Sequence, residues 1–152
     1  MKVKFSGRRA IVCALFFSTL FAGSVASAPQ VHATTTGEHH LAYLINQART
    51  HYGRASLKLD DRLSYRARLH SKAMADKFTI FHTKKLASVF TGYNWSVCGE
   101  NVGMGPTILS VHKAFMASPP HRANNLYRGY KRFGIGIVAR NGIDFITVEF
   151  MG

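Results

Sequence analysis

Three side chains could do chemistry together: His82, Glu100 and His121. Glu100 carries the only charge between Tyr93 and Gly105, a run that also holds Gly99, Gly103 and Gly105, with Gly92 just ahead of it. Glycine has no Cβ, so the backbone there can turn tightly or come close to another group. A lone acid among apolar residues is costly to bury unless a cation, a proton or several hydrogen-bond donors meet it. His82 follows the cluster Phe78-Thr79-Ile80-Phe81 and His121 follows Ser118-Pro119-Pro120, so each imidazole sits at a break in the pattern and could serve as that partner. The plainer alternative is that Glu100 only ties a loop to backbone N–H groups, since structural acids are perturbed too. Cys98, beside Gly99-Glu100, could be a nucleophile with a histidine as base, although a buried free cysteine usually behaves as a small apolar residue.

The elements that must position these residues follow in order. Thr35 and Glu38 have capping-box spacing. They open a helix with Leu41, Leu44, Ile45, Ala48 and Tyr52 on one face, closed by Gly53. Leu57-Lys58-Leu59 reads as a short extended link, and Asp60 as the N-cap of a second helix. That helix carries Leu63, Ala67, His70, Met74 and Phe78 on its apolar stripe, where His70 reads first as a hydrogen-bonded core residue. Leu86–Thr91 suggests another short helical piece. Thr107 starts a helix with Ile108, Val111, His112 and Phe115 inward, and Ser118-Pro119-Pro120 stops it. Residues 121–126 read as a turn or helical stub. Phe133–Ala139 and Ile143–Phe150 are β-rich runs around Asn141-Gly142, a strong hairpin signal. Gly134 and Gly136 leave one strand face bare, which predicts a helix or loop packed close against it.

Composition sets the outer limits. Lys2, Lys4, Arg8 and Arg9 precede the uncharged run Ala10–Ala22, and Val31-His32-Ala33 offers a cleavage site. This is the pattern of a signal peptide over residues 1–33, too short to span a bilayer. The expected product is a secreted or extracytoplasmic chain, extracellular or periplasmic, with a linker over residues 34–40 and one domain over residues 41–152. Only Cys98 remains after the leader, so no internal disulfide can form. Setting aside the leader's four basic residues lowers the formal charge from +13 to +9. That excess favours polyanions such as envelope polymers or lipid head groups. Aromatic residues are not interleaved with the basic ones, so no specific nucleic-acid surface is expected.

The ordered set of motifs resembles the CAP superfamily (cysteine-rich secretory proteins, antigen 5, pathogenesis-related proteins) in its short bacterial SCP-like form. The set comprises Arg68-Leu69-His70-Ser71…Met74, His82, Gly99-Glu100-Asn101-Val102, Ser118-Pro119-Pro120-His121-Arg122-Ala123-Asn124, Gly134-Ile135-Gly136 and Thr147…Phe150…Gly152. The resemblance implies an α+β fold, a three-layer α-β-α sandwich with a small, largely antiparallel sheet and a C-terminal hairpin. It also implies a cleft built on His82, Glu100 and His121, with Ser118 beside it. The second acid of the eukaryotic-type site should fall near Ser118 and is absent. Phe115 stands where the family usually has tryptophan, and Asn125 where an aliphatic residue is common.

Two imidazoles, His82 and His121, can hold Zn²⁺ or another divalent cation while Glu100 fixes a ring tautomer. Catalytic zinc normally has three protein ligands, so such a metal would be weakly held. The leading expectation is an exported ligand-binding module for a lipid, an envelope polymer or a protein partner. One alternative is a metal-assisted hydrolase or peptidase with Glu100 as base, and another is a basic polyanion-binding surface protein with a vestigial cleft. Ser118 has only His121 near it to act as a base for nucleophilic attack.

Overall fold

A computed structural model describes residues 34–152; the leader expected over residues 1–33 lies outside the described residues. The chain forms helix α1 (Thr36–His51), strand β1 (Lys58–Leu59), helix α2 (Asp61–Lys77) and a 3₁₀ turn over Leu86–Phe90. Strand β2 (Cys98–Gly105), helices α3 (Ile108–Ala117) and α4 (Pro119–Leu126), and strands β3 (Arg132–Arg140) and β4 (Ile143–Met151) follow. The sheet order is β1-β3-β4-β2, with β1 parallel to β3 and the other pairs antiparallel. β2 is therefore an edge strand.

The helix starts follow from local chemistry. The Thr35 hydroxyl accepts from the Glu38 amide and the Glu38 carboxylate accepts from the Thr35 amide, which satisfies two otherwise orphaned donors. Residues 36–40 thus belong to the first helix rather than to a linker. Glu38 is fully buried and also pairs with Arg68 at 2.7 Å. Asp60 caps α2 through the Leu63 amide, and Thr107 caps α3 through Ser110. Phe78 departs from its expected place on the inner stripe. It closes α2 in the left-handed conformation, φ 50°, and is 47% exposed.

Two strand faces receive two layers of helix. Residues paired directly across antiparallel strands share a face, so Gly134, Glu149 and Glu100 lie in one row and Gly136, Thr147 and Val102 in the next. α2 covers these rows. A Cβ on Gly136 would lie 2.2 Å from the Ala67 backbone, and one on Gly134 2.4 Å from that of Leu63. The bare strand face predicted from the two glycines is where helix backbone meets sheet backbone.

β1 pairs with only Arg132 and Phe133 of β3, so the amides farther along β3 need other acceptors. The Ser64 hydroxyl takes the Ile135 amide and the Glu38 carboxylate takes the Ile137 amide. On the opposite face Leu41 and Ile45 of α1 and Val111 and Phe115 of α3 pack on Phe133, Ile135, Ile146, Val148 and Phe150. The result is the expected α-β-α sandwich. Asn141 (φ 51°) and Gly142 (φ 73°) make the two-residue turn of the β3–β4 hairpin, the left-handed pair that such a turn requires.

Candidate functional site at the sheet edge

The stretch around Glu100 is a strand rather than a loop. None of Gly99, Gly103 and Gly105 has a positive φ; their use is close approach. A Cβ on Gly103 would lie 2.8 Å from the Phe115 ring, one on Gly105 2.9 Å from Val111, and one on Gly99 2.0 Å from the Tyr130 hydroxyl. The edge strand is thereby drawn down onto α3 and the α4–β3 side of the molecule. Glu100 itself points to the other face, toward α2.

Glu100 is 6% exposed and well partnered. Its Oε1 accepts from His82 Nδ1 at 2.7 Å and from the Thr83 amide at 3.0 Å, and its Oε2 accepts from the Thr83 hydroxyl at 2.7 Å. His70 Nε2 lies 3.9 Å from Oε2 and donates to the Phe81 carbonyl at 2.7 Å. Burial pushes the Glu100 carboxyl up, but the Thr83 and His82 hydrogen bonds and the charge of His70 outweigh it, and the net direction is down. A carboxylate so occupied is a poor base and a good orienter. It holds the proton of His82 on Nδ1 and turns Nε2 outward on a side chain that is 61% exposed.

His121 reaches the same edge from the opposite layer. It stands in the first turn of α4, and its Nδ1 lies 2.9 Å from the Ser118 hydroxyl. Burial, and then repulsion from His82, lower its affinity for a proton, which favours the neutral ring. No hydrogen bond joins His121 to Glu100 among the described residues; the acid contacts one imidazole directly and the other lies within electrostatic reach of the first. α4 is held against β2 by amides. Asn101 Nδ2 donates to the His121 carbonyl at 2.9 Å and to Asn125 Oδ1 at 3.1 Å, while Asn124 Nδ2 donates to the Glu100 carbonyl and to Asn101 Oδ1. Asn125 is fully buried and takes part in this chain of amides.

An open groove of about 270 Å³ runs beside His121, lined by Ile80, Val102, Met104, Val111, Phe115 and Ser118 among others. Ile80 and Met104 are each more than 40% exposed. Its wall is apolar and its end is imidazole and hydroxyl. Ser118 is close enough to His121 to exchange a proton, but nucleophilic catalysis also needs a third group to orient the base, and no carboxylate meets His121 among the described residues. Cys98 packs with Leu63, Phe90 and Met151. Burial and the nearby Glu149 push its thiol up, away from an active thiolate.

Thr83 and Glu149 were passed over in the sequence, and Asn101 and Asn124 stood in its motifs without a role. Glu149 lies directly opposite Glu100 in the β2–β4 register and is 1% exposed. Burial, and then the charge and hydrogen bond of Glu100, push its carboxyl up to about 9. An acid between Val148 and Phe150, on a strand whose neighbouring residues are apolar, is the available signal.

A divalent metal, expected from the two imidazoles His82 and His121, can be set against these donors. His82 and His121 both have Nδ1 engaged by a protein oxygen, and neither Nε2 has a hydrogen-bond partner among the described residues. Both rings therefore present a free nitrogen. Among the described residues no group of three or more histidine, cysteine or acidic side chains is arranged to hold a metal ion. Among the described residues the donors that could face a cation here are at most two imidazole nitrogens, one from His82 and one from His121.

Comparison with known proteins agrees with the fold and the motif order. The pattern of the cysteine-rich secretory protein family, CAP, matches residues 42–150. The uncharacterized protein YkwD of Bacillus subtilis is 31% identical over 141 residues, covering 84% of this chain and 54% of its own length. The chain thus spans about half the length of that relative. An outer surface protein from Borrelia burgdorferi superposes with TM-score 0.69 at 21% identity, over 80% of this chain and 98% of its own. An extracellular protein containing an SCP domain, from Bacillus anthracis, superposes with TM-score 0.66 at 21% identity, over 76% of this chain and 40% of its own. The chain belongs to the CAP, or cysteine-rich secretory protein, family.

Proposed function

We propose that this protein is an exported ligand-binding module whose working surface is the groove at the β2 edge. The observation that carries the reading is the pairing of an exposed apolar groove with a polar end made of Ser118 and His121. Such a surface suits an amphipathic ligand, a lipid before a polymer or a protein, with its apolar part along Val102, Met104 and Phe115 and its head group at the imidazoles. Apolar lining supplies affinity and a few convergent polar groups supply orientation.

His82 and His121 would hold Zn²⁺ or another divalent cation through Nε2, and the bound cation would attract an anionic head group. Glu100 contributes by keeping the His82 tautomer fixed. The surplus of basic residues would draw the same class of ligand toward the surface before contact. Export is supported by the charged and apolar leader pattern and by the two structural neighbours described as outer surface and extracellular proteins. No helix among the described residues is long and apolar enough to cross a membrane.

The test is extraction and mass spectrometry of protein recovered from its own secreting cells, beside an Ala114→Trp variant. Ala114 is exposed and lines the groove, so a tryptophan there fills the space without disturbing the core. A lipid that accompanies the natural protein and is absent from the variant is the expected result. Equal lipid in both, or none in either, would remove the groove from the account.

A further inference from the structure

Two buried acids lie outside the site described above: Glu38, which is paired with Arg68, and Glu149, which has no such cation. It faces Glu100 across the β2–β4 pairing, and its neighbour on β3 is Gly134, which has no side chain to offer. Cys98 is the other titratable group of β2 near it, and from α2 His70 reaches Glu100. No lysine or arginine pairs with Glu149 among the described residues. Its Oε2 is buried without a hydrogen-bond partner, and the strand register sets its side chain beside that of Glu100 on the same face of the sheet.

Two carboxylates cannot share that space as anions, because burial penalises each charge and their repulsion adds to the penalty. Glu100 is the one fixed as the anion, by three donors from His82 and Thr83. The proton therefore belongs on Glu149, and a carboxylic acid O–H is the donor that the arrangement otherwise lacks. We propose that Glu149 is a positioning residue of this site: held as a neutral acid, it donates its O–H to Glu100 and steadies the carboxylate that directs the His82 ring. The second acid sought near Ser118 is replaced by one from the adjacent strand, beside Glu100 on the same face of the sheet. Being buried, it touches no ligand. The inference rests on the proposed function only in taking His82 as a ligand-facing ring.

The test is nuclear magnetic resonance on the protein with its glutamate carboxyl carbons labelled; the chain has three glutamates, Glu38, Glu100 and Glu149. One carboxyl should remain protonated at neutral pH, and its signal should vanish in Glu149→Gln. If all three are ionised at neutral pH the proposal falls, and this arm needs no variant to fold. In a second arm the His82 Nδ1–H proton signal is followed. It should persist in Glu149→Gln, whose amide can still donate to Glu100, and be lost to solvent exchange in Glu149→Leu. Persistence in both variants would reduce Glu149 to a buried bystander. Neither readout involves metal or lipid, so failure of the proposed ligand would leave both intact.

Discussion

The side-chain amide of Asn101 donates to the main-chain carbonyl of His121 at 2.9 Å. The residue that follows the ring-orienting acid in sequence thus holds the second imidazole's helix, and the strand's alternation turns the two side chains to opposite faces of the sheet. Asn101 is fully buried, and its loss would leave the Asn124 amide and the Asn125 carbonyl short of partners. Asn101→Ala is expected to cost about 1–3 kcal/mol in chemical denaturation, and to weaken ligand binding beyond what the stability loss explains. Unchanged stability would mean that α4 is held by other contacts.

Glu100→Gln keeps the shape and removes the charge that fixes His82. Loss of an orienting partner behind a metal-binding histidine typically lowers metal affinity roughly 10–100-fold. The same range is expected here for zinc, with the fold retained in circular dichroism. An affinity equal to that of the natural protein would show that the His82 tautomer does not depend on Glu100.

Stability should depend on pH in two opposed ways. Glu149 is raised from its ordinary value of 4.5 to about 9, so between those limits the folded chain binds a proton that the unfolded chain has released. Stability then falls as pH rises, by at most about 1.4 kcal/mol per pH unit. His112 is buried with Nδ1 unpartnered, and burial lowers it from 6.5, so the unfolded chain binds the extra proton and stability falls as pH drops below 6.5. Denaturation midpoints should decline from near neutrality toward pH 9, and Glu149→Gln should flatten that decline. A slope identical in the variant would assign it elsewhere.

Gly136→Ala tests the sandwich itself. The added Cβ would meet Ala67 and Arg68 backbone at 2.2 Å, where no side chain can rotate away. Overpacking of this kind typically costs about 1–3 kcal/mol, and the upper end is expected because α2 must move as a unit. A neutral effect in thermal denaturation would mean that α2 is more loosely seated than its contacts imply.

Much of this framework was legible in the sequence because its signals are local. Thr35, Asp60 and Thr107 each cap a helix within three residues of themselves, and Asn141-Gly142 fixes its own hairpin. The bare face at Gly134 and Gly136 announced a close neighbour, which is α2. Glu100 with His82 was legible through the isolated charge and the family's motif order.

The β2 strand was not legible, because glycine is depleted in strands and its pairing with β4 is imposed from a distant part of the chain. For the same reason Glu149 gave little sign of its role: its partner lies on another strand, and only the register brings them together. Thr83 supplies two of the three hydrogen bonds to Glu100, yet a single threonine after a histidine carries no periodic signal.

The central claim is that His82 and His121, delivered to the β2 edge from opposite layers, act as one site. Calorimetric titration of zinc into the natural protein, His82→Ala and His121→Ala tests it most directly. The account predicts one weak site in the natural protein and a loss of roughly tenfold or more in each variant, since a two-imidazole site cannot spare either ligand. Identical binding in all three proteins would contradict it.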